Sequence, residues 1–128
     1  MARPRSDILT ERESQIMEIL WKLGESTSEQ VRERLPGNPH DSSVRTLLRV
    51  LKSKGYVNVN SAVRPSMYRP AVARWRVQRK AAKSLLARFF GGSAEALVLR
   101  LLEDEQLTPR QLEELRESHM SRRRGEKR

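Results

Sequence analysis

The chain has no cysteine among its 128 residues. Disulfides, thiolate metal sites and cysteine catalysis are therefore excluded. Histidine is nearly as scarce, with only His40 and His119. There is no glycine-rich loop to cradle a phosphate and no carboxylate pair in an apolar setting. Glu103, Asp104 and Glu105 are adjacent acids, but they lack the His or Cys partners that a metal site draws on and read as a solvated loop. We therefore expect no catalytic residue, no metal and no cofactor. Aromatics are 5% and hydrophobic residues 37%, so any core is modest. No apolar run approaches the ~20 residues of a membrane-spanning helix. The opening MARPRSD lacks the apolar stretch of a signal peptide. A soluble, cytoplasmic protein without membrane insertion is the expectation.

Acids are missing from one long stretch. Between Ser42 and Ala94 there is no Asp or Glu, while those 53 residues hold 12 Lys or Arg. All 16 acids lie in the flanks, 8 on each side, beside the remaining 14 basic residues. The net charge of +10 is thus concentrated in the middle of the chain. A merely soluble surface intersperses its charges; a phosphate-tracking one segregates them. Double-stranded nucleic acid is the partner this distribution implies.

Asp41 to Gly55, DSSVRTLLRVLKSKG, organises the rest. Val44, Leu47, Leu48 and Leu51 fall at i, i+3, i+4 and i+7, the apolar stripe of an amphipathic helix. Ser42, Arg45, Thr46 and Arg49 repeat that spacing on a polar, cationic face that reads as free of acid. Residues of these types bond to phosphates and base edges. Ser43 adjoins this face, Lys52 and Lys54 extend its charge, and Gly55 stands where a helix terminates. A basic solvated face without a partner is the plain alternative; the surrounding segregation of charge argues against it.

In chain order, Met1 to Asp7 reads as a disordered basic arm. Thr10 and Glu13 form a T-x-x-E capping box, followed by the stripe Ile16, Ile19, Leu20 and Leu23, with Met17 and Trp21 beside it. Gly24 is a stop. Thr27 and Gln30 repeat the box before Val31 and Leu35. Pro36, Gly37 and Pro39 make a tight turn into the basic helix, where His40 is placed as a cap or phosphate neighbour. Two short helices across such a turn, the second cationic, form a helix-turn-helix. Tyr56 to Asn60 then alternates with period two, and Ser66 to Arg69 returns as a second strand. This hairpin reads as a wing, with Arg64 at its tip and Arg69 on its return strand.

From Val72 to about Phe90 the pattern is helical again, and Gly91 and Gly92 break it. Ser93 caps a segment whose Leu97, Val98, Leu101 and Leu102 form an apolar edge. Thr108, Pro109 and Gln111 start a further helix carrying Leu112 and Leu115. These helices hold more leucine than a lone arm can hide, which points to self-association, most simply as a twofold dimer. The fold class is mainly α with a small β wing: a winged helix-turn-helix over 1–71, a helical dimerisation segment over 72–120, and a disordered basic tail over 121–128.

WKLGESTSEQVRERL, SSVRTLLRVLKSKGYV and SMYRP, in that order, resemble the BlaI/MecI/CopY penicillinase repressor family, as does GGSAEALVLRLLEDEQLTPRQLEELRE further on. The resemblance spans about Leu9 to Glu117. It implies a winged-helix homodimer that represses transcription from inverted-repeat operators, often with TACA/TGTA half-sites. By position it places recognition contacts on Ser42, Ser43, Arg45, Thr46 and Arg49. Copper-sensing members use C-terminal cysteines, which this chain lacks. The β-lactam branch is released by a protease cutting an Asn-Phe bond, and no Asn-Phe pair occurs here. Phe89, Phe90 and Gly91 lie near the corresponding place, so a regulatory protease is a candidate partner that the sequence does not demand. The competing function is a non-specific architectural DNA- or RNA-binding protein using the same basic face.

Overall fold

The computed structural model describes residues 8–126. The opening basic arm and the last two residues of the expected tail lie outside this range. The described chain forms α1 (Glu11–Leu23), α2 (Ser28–Arg34), α3 (Asp41–Ser53), β1 (Val57–Asn60), β2 (Met67–Pro70), α4 (Arg74–Phe89), α5 (Ala94–Glu103) and α6 (Pro109–Glu126). It is mainly α with a small antiparallel wing. Two compact units divide within α4, between Ala81 and Ala82. The first unit thus takes in ten residues beyond the boundary expected at position 71.

In the first unit α1, α2 and α3 close on one core. Ile16, Met17 and Leu20 come from α1, Val31 and Leu35 from α2 and its end, and Val44, Leu48 and Leu51 from α3; Tyr56 and Val57 complete it. Two assignments on α1 change places. Met17, read as lying beside the stripe, is fully buried, whereas Leu23 is 37% exposed. Leu23 is the last residue of its helix, and the chain turns away at Gly24 with φ +82°.

The helix starts follow local chemistry. Thr10 Oγ1 accepts from the Glu13 amide at 3.2 Å while the Glu13 carboxylate accepts from the Thr10 amide at 2.8 Å. Thr27 and Gln30 do the same for α2, at 3.1 and 2.8 Å. These reciprocal bonds satisfy backbone donors that a helix start leaves orphaned. α3 ends in a Schellman motif: Tyr56 N–H reaches Leu51 O at 2.9 Å and Gly55 N–H reaches Lys52 O at 3.0 Å. The motif requires a left-handed residue, which Gly55 supplies at φ +88°. It also folds Tyr56 back onto Leu51 in the core.

The wing pairs Val57 with Pro70, Asn58 with Arg69, Val59 with Tyr68 and Asn60 with Met67. Its strands begin one residue later than the alternation suggests, and Pro70 closes β2 rather than following it. Ser26 adds a single further bridge: its amide donates to Tyr68 O at 2.9 Å, and the Tyr68 amide donates to Ser26 O at 2.7 Å. The α1–α2 link thereby extends the hairpin, a feature one isolated residue cannot announce in a sequence.

In the second unit, Ser93 Oγ accepts from the Ala96 amide at 3.1 Å to start α5. Thr108 and Gln111 close a capping box at 3.1 and 2.9 Å before α6. α6 then continues through Glu126, where a disordered tail was expected from 121. Arg, Ser and Met sustain a helix, and one late glycine costs too little to end it. No described residue after Val57 is buried, so this unit has no enclosed core.

Candidate nucleic-acid interface

α3 divides its sides as its spacing dictates. Val44, Leu48 and Leu51 are fully buried and Leu47 half-buried, which fixes the roll of the helix about its axis. Ser42, Ser43, Arg45, Thr46, Arg49 and Lys52 are all exposed as a result. A short polar helix pinned by its apolar stripe, with its other side in solvent, is the geometry of a helix that enters a major groove.

The exposed row is internally organised. Thr46 Oγ1 donates to Ser42 O, one turn back, at 2.9 Å. Arg49 Nη2 donates to Thr46 Oγ1 at 3.3 Å. Arg45 Nε lies 3.0 Å from an Asp41 carboxylate oxygen. The face was read as carrying no acid, and this pair corrects that reading. Asp41 is one turn before Arg45 and at the helix start, where an acid complements the helix dipole. Arg45 and Asp41 side chains are 66% and 49% exposed, so the pair is weak and opens at small cost when a better acceptor arrives.

His40 occupies the N-cap position of α3, but its side chain makes no capping hydrogen bond. The preceding turn is braced instead by Arg32, which pairs with Glu29 and donates to Asn38 Oδ1 at 3.4 Å. That ion pair raises the Arg32 guanidinium above its ordinary pKa and lowers the Glu29 carboxyl, chiefly through their mutual hydrogen bonds.

Lys54 does not extend the cationic surface. Its Nζ lies 3.1 and 3.0 Å from the two carboxylate oxygens of Glu13, and its side chain is only 18% exposed. Burial pushes the Glu13 carboxyl up, but the Thr10 amide, the Lys54 ammonium and the Thr10 hydroxyl together hold it below the ordinary value. One carboxylate thus caps α1 and ties its start to the end of α3. The sequence showed the cap and not the tie, which joins residues 41 positions apart.

Arg64, at the wing turn, and Arg69, opposite Asn58 on β2, are exposed. The apolar residues expected to associate are less evenly placed. Leu97, Val98, Leu101 and Leu102 are half-buried along α5, while Leu112 and Leu115 on α6 are 37% and 58% exposed. Leu99 and Phe89 join the exposed apolar surface at 57% and 67%; of the two, Leu99 was not singled out from spacing.

The family model described as penicillinase repressor matches residues 9–120. A penicillinase repressor of Bacillus licheniformis is 27% identical over 109 residues, covering 84% of this chain and 85% of that protein. A penicillinase repressor of Staphylococcus aureus is 29% identical, covering 80% and 82%. The methicillin resistance regulatory protein MecI of Staphylococcus aureus strain N315 is 26% identical, covering 81% and 86%.

Proposed function

Because the chain belongs to the penicillinase repressor family, it is a DNA-binding transcriptional repressor and not an enzyme, and we propose that it acts as a homodimer on an inverted-repeat operator. The observation carrying the DNA reading is the outward row of α3, with hydroxyls and guanidiniums interleaved on a helix whose roll is fixed by buried leucines. Ser42, Ser43, Arg45, Thr46 and Arg49 contact the major groove. Lys52, Arg64 and Arg69 bind phosphates beside it. Dimerisation is supported by the second unit, which encloses no buried residue yet displays Leu97, Val98, Leu101, Leu102, Leu112 and Leu115. A twofold dimer presents two reading helices to two half-sites. Such a repressor works beside the DNA it controls, in the cytoplasm. Among the described residues no helix is long and apolar enough to cross a membrane. Proteolytic release is compatible with an exposed Phe89 followed by the Gly91–Gly92 turn.

The test is selection of bound fragments from host DNA, then competition between the recovered site and unrelated duplex. A two-part site preferred by ~10³-fold or more is expected. Little preference would favour the non-specific architectural reading.

A further inference from the structure

The first turns of α4 take no part in the row on α3, yet they belong to the same compact unit. They are held to it by several bonds. Trp21 Nε1 donates to Val72 O at 2.9 Å, just before α4 begins. Arg74 lies 2.9 Å from Glu18 and stacks over the Trp21 ring, 5.5 Å from its centroid. Val77 packs against the core. Arg79, two positions further, projects to nearly the opposite side of the helix. Arg76, Arg79 and Lys80 are all exposed on these turns.

Arg76 and Arg79 have only cations and uncharged residues for neighbours on the helix. Several other exposed helix arginines pair with an acid three or four positions away: Arg45 with Asp41, Arg100 with Glu103 and Asp104, Arg110 with Glu114 and Arg116 with Glu113. Arg76 has Val72, Ala73, Arg79 and Lys80 at those spacings; Arg79 has Trp75, Arg76, Ala82 and Lys83. Among the described residues neither forms an ion pair. Arg76 instead stacks over Trp75, 5.1 Å from the ring centroid, which neutralises nothing. Like charges at these spacings destabilise a helix about as much as opposite charges stabilise it. The chain therefore maintains a self-repelling face on turns that it anchors firmly.

A polyanion relieves that repulsion. Resting on the reading of the chain as a DNA-binding repressor, we propose that Arg76 and Arg79 form a second DNA-contacting element that grips phosphates and reads no base. The α3 row interleaves hydroxyls with its cations; the α4 row is cations alone, the composition of a phosphate contact. Each contact made there releases condensed counterions and leaves its mark on the salt dependence of binding.

The experiment compares the full chain with R76Q/R79Q and with R76K/R79K, on a random-sequence duplex and on the recovered operator, across a salt series. Glutamine and lysine match arginine closely in helix propensity, so fold is retained, and circular dichroism verifies it. On the random duplex the glutamine variant is expected to lower the slope of log affinity against log salt by roughly 0.9 per lost phosphate contact. Operator and random duplex are expected to weaken by the same factor, with lysine restoring the slope. An unchanged slope overturns the proposal, as does a loss confined to the operator or one that lysine does not restore. An intact chain that binds duplex without operator preference would defeat the repressor reading alone, because the slope on random duplex still reports on the α4 row.

Discussion

Arg45 stands one turn into α3, its guanidinium 3.0 Å from an Asp41 carboxylate oxygen. Its spacing from Ser42 and Arg49 was legible because a helix repeats every three to four residues. Its ion pair with Asp41 is local as well, since the acid stands four positions before it on the same helix. If the guanidinium leaves Asp41 to read a base, Arg45→Ala costs about 1–3 kcal/mol and relaxes preference at one position of each half-site. Binding that weakens equally on all sequences would make Arg45 a phosphate contact. Arg64→Ala is expected to behave in that uniform way, with a shallower salt slope. A changed base preference at Arg64 would mean that the wing reads sequence. Glu13 makes a separate claim. Its carboxyl is held below its ordinary value in the folded chain, so the fold binds fewer protons there than the unfolded chain does. Its contribution is therefore full above the unfolded value and is lost as pH falls through the folded one. Glu13→Gln is expected to cost about 1–3 kcal/mol near neutral pH, where it leaves Lys54 without its anion. In urea titrations the gap between wild type and variant should close with acidification; a gap that persists in acid would refute the tie.

At the scale of elements, helix starts were more legible than surfaces. Thr10/Glu13, Thr27/Gln30 and Thr108/Gln111 each act within four residues, and all three boxes form as the sequence implies. The Ser26 bridge and the Lys54–Glu13 tie depend on residues brought together by packing, so no local pattern announces them. The end of α6 was missed for another reason: a charged run resembles a tail, yet its residues are good helix formers. The four-residue stripe of α3 was read as uniform, and the structure grades it. Leu48 is fully buried while Leu47 is only half-buried. Leu48→Ala is accordingly expected to cost about 2–5 kcal/mol and Leu47→Ala distinctly less. Chemical denaturation measures both. Equal losses would mean that Leu47 is covered in the working protein, by a surface other than its own unit.

At the scale of the whole molecule, two compact units meet within α4. The helical pattern resumes at Val72, which places the expected boundary at Ala71, whereas the first unit continues to Ala81 because Val72 and Val77 pack on the core and Trp21 bonds to Val72. A chain ending at Ala81 is therefore expected to fold as a winged helix. One ending at Ala71 gives up the Trp21 bond, the Arg74–Glu18 pair and two packed valines, and should unfold at lower denaturant. The chain ending at Ala81 lacks the apolar surface of α5 and α6, so it is expected to sediment as a monomer while the full chain sediments as a dimer. Every residue of the α3 row remains in place. Binding to a single half-site should then be nearly unchanged, because both lengths carry the same contacts. Binding to a full operator should fall by 10²–10⁴-fold, about 3–5 kcal/mol, because two linked events become independent ones. The contrast between half and full operator separates lost linkage from lost contacts. A shortened chain that remains dimeric, or that holds the full operator as tightly as the intact chain, would remove association from the mechanism.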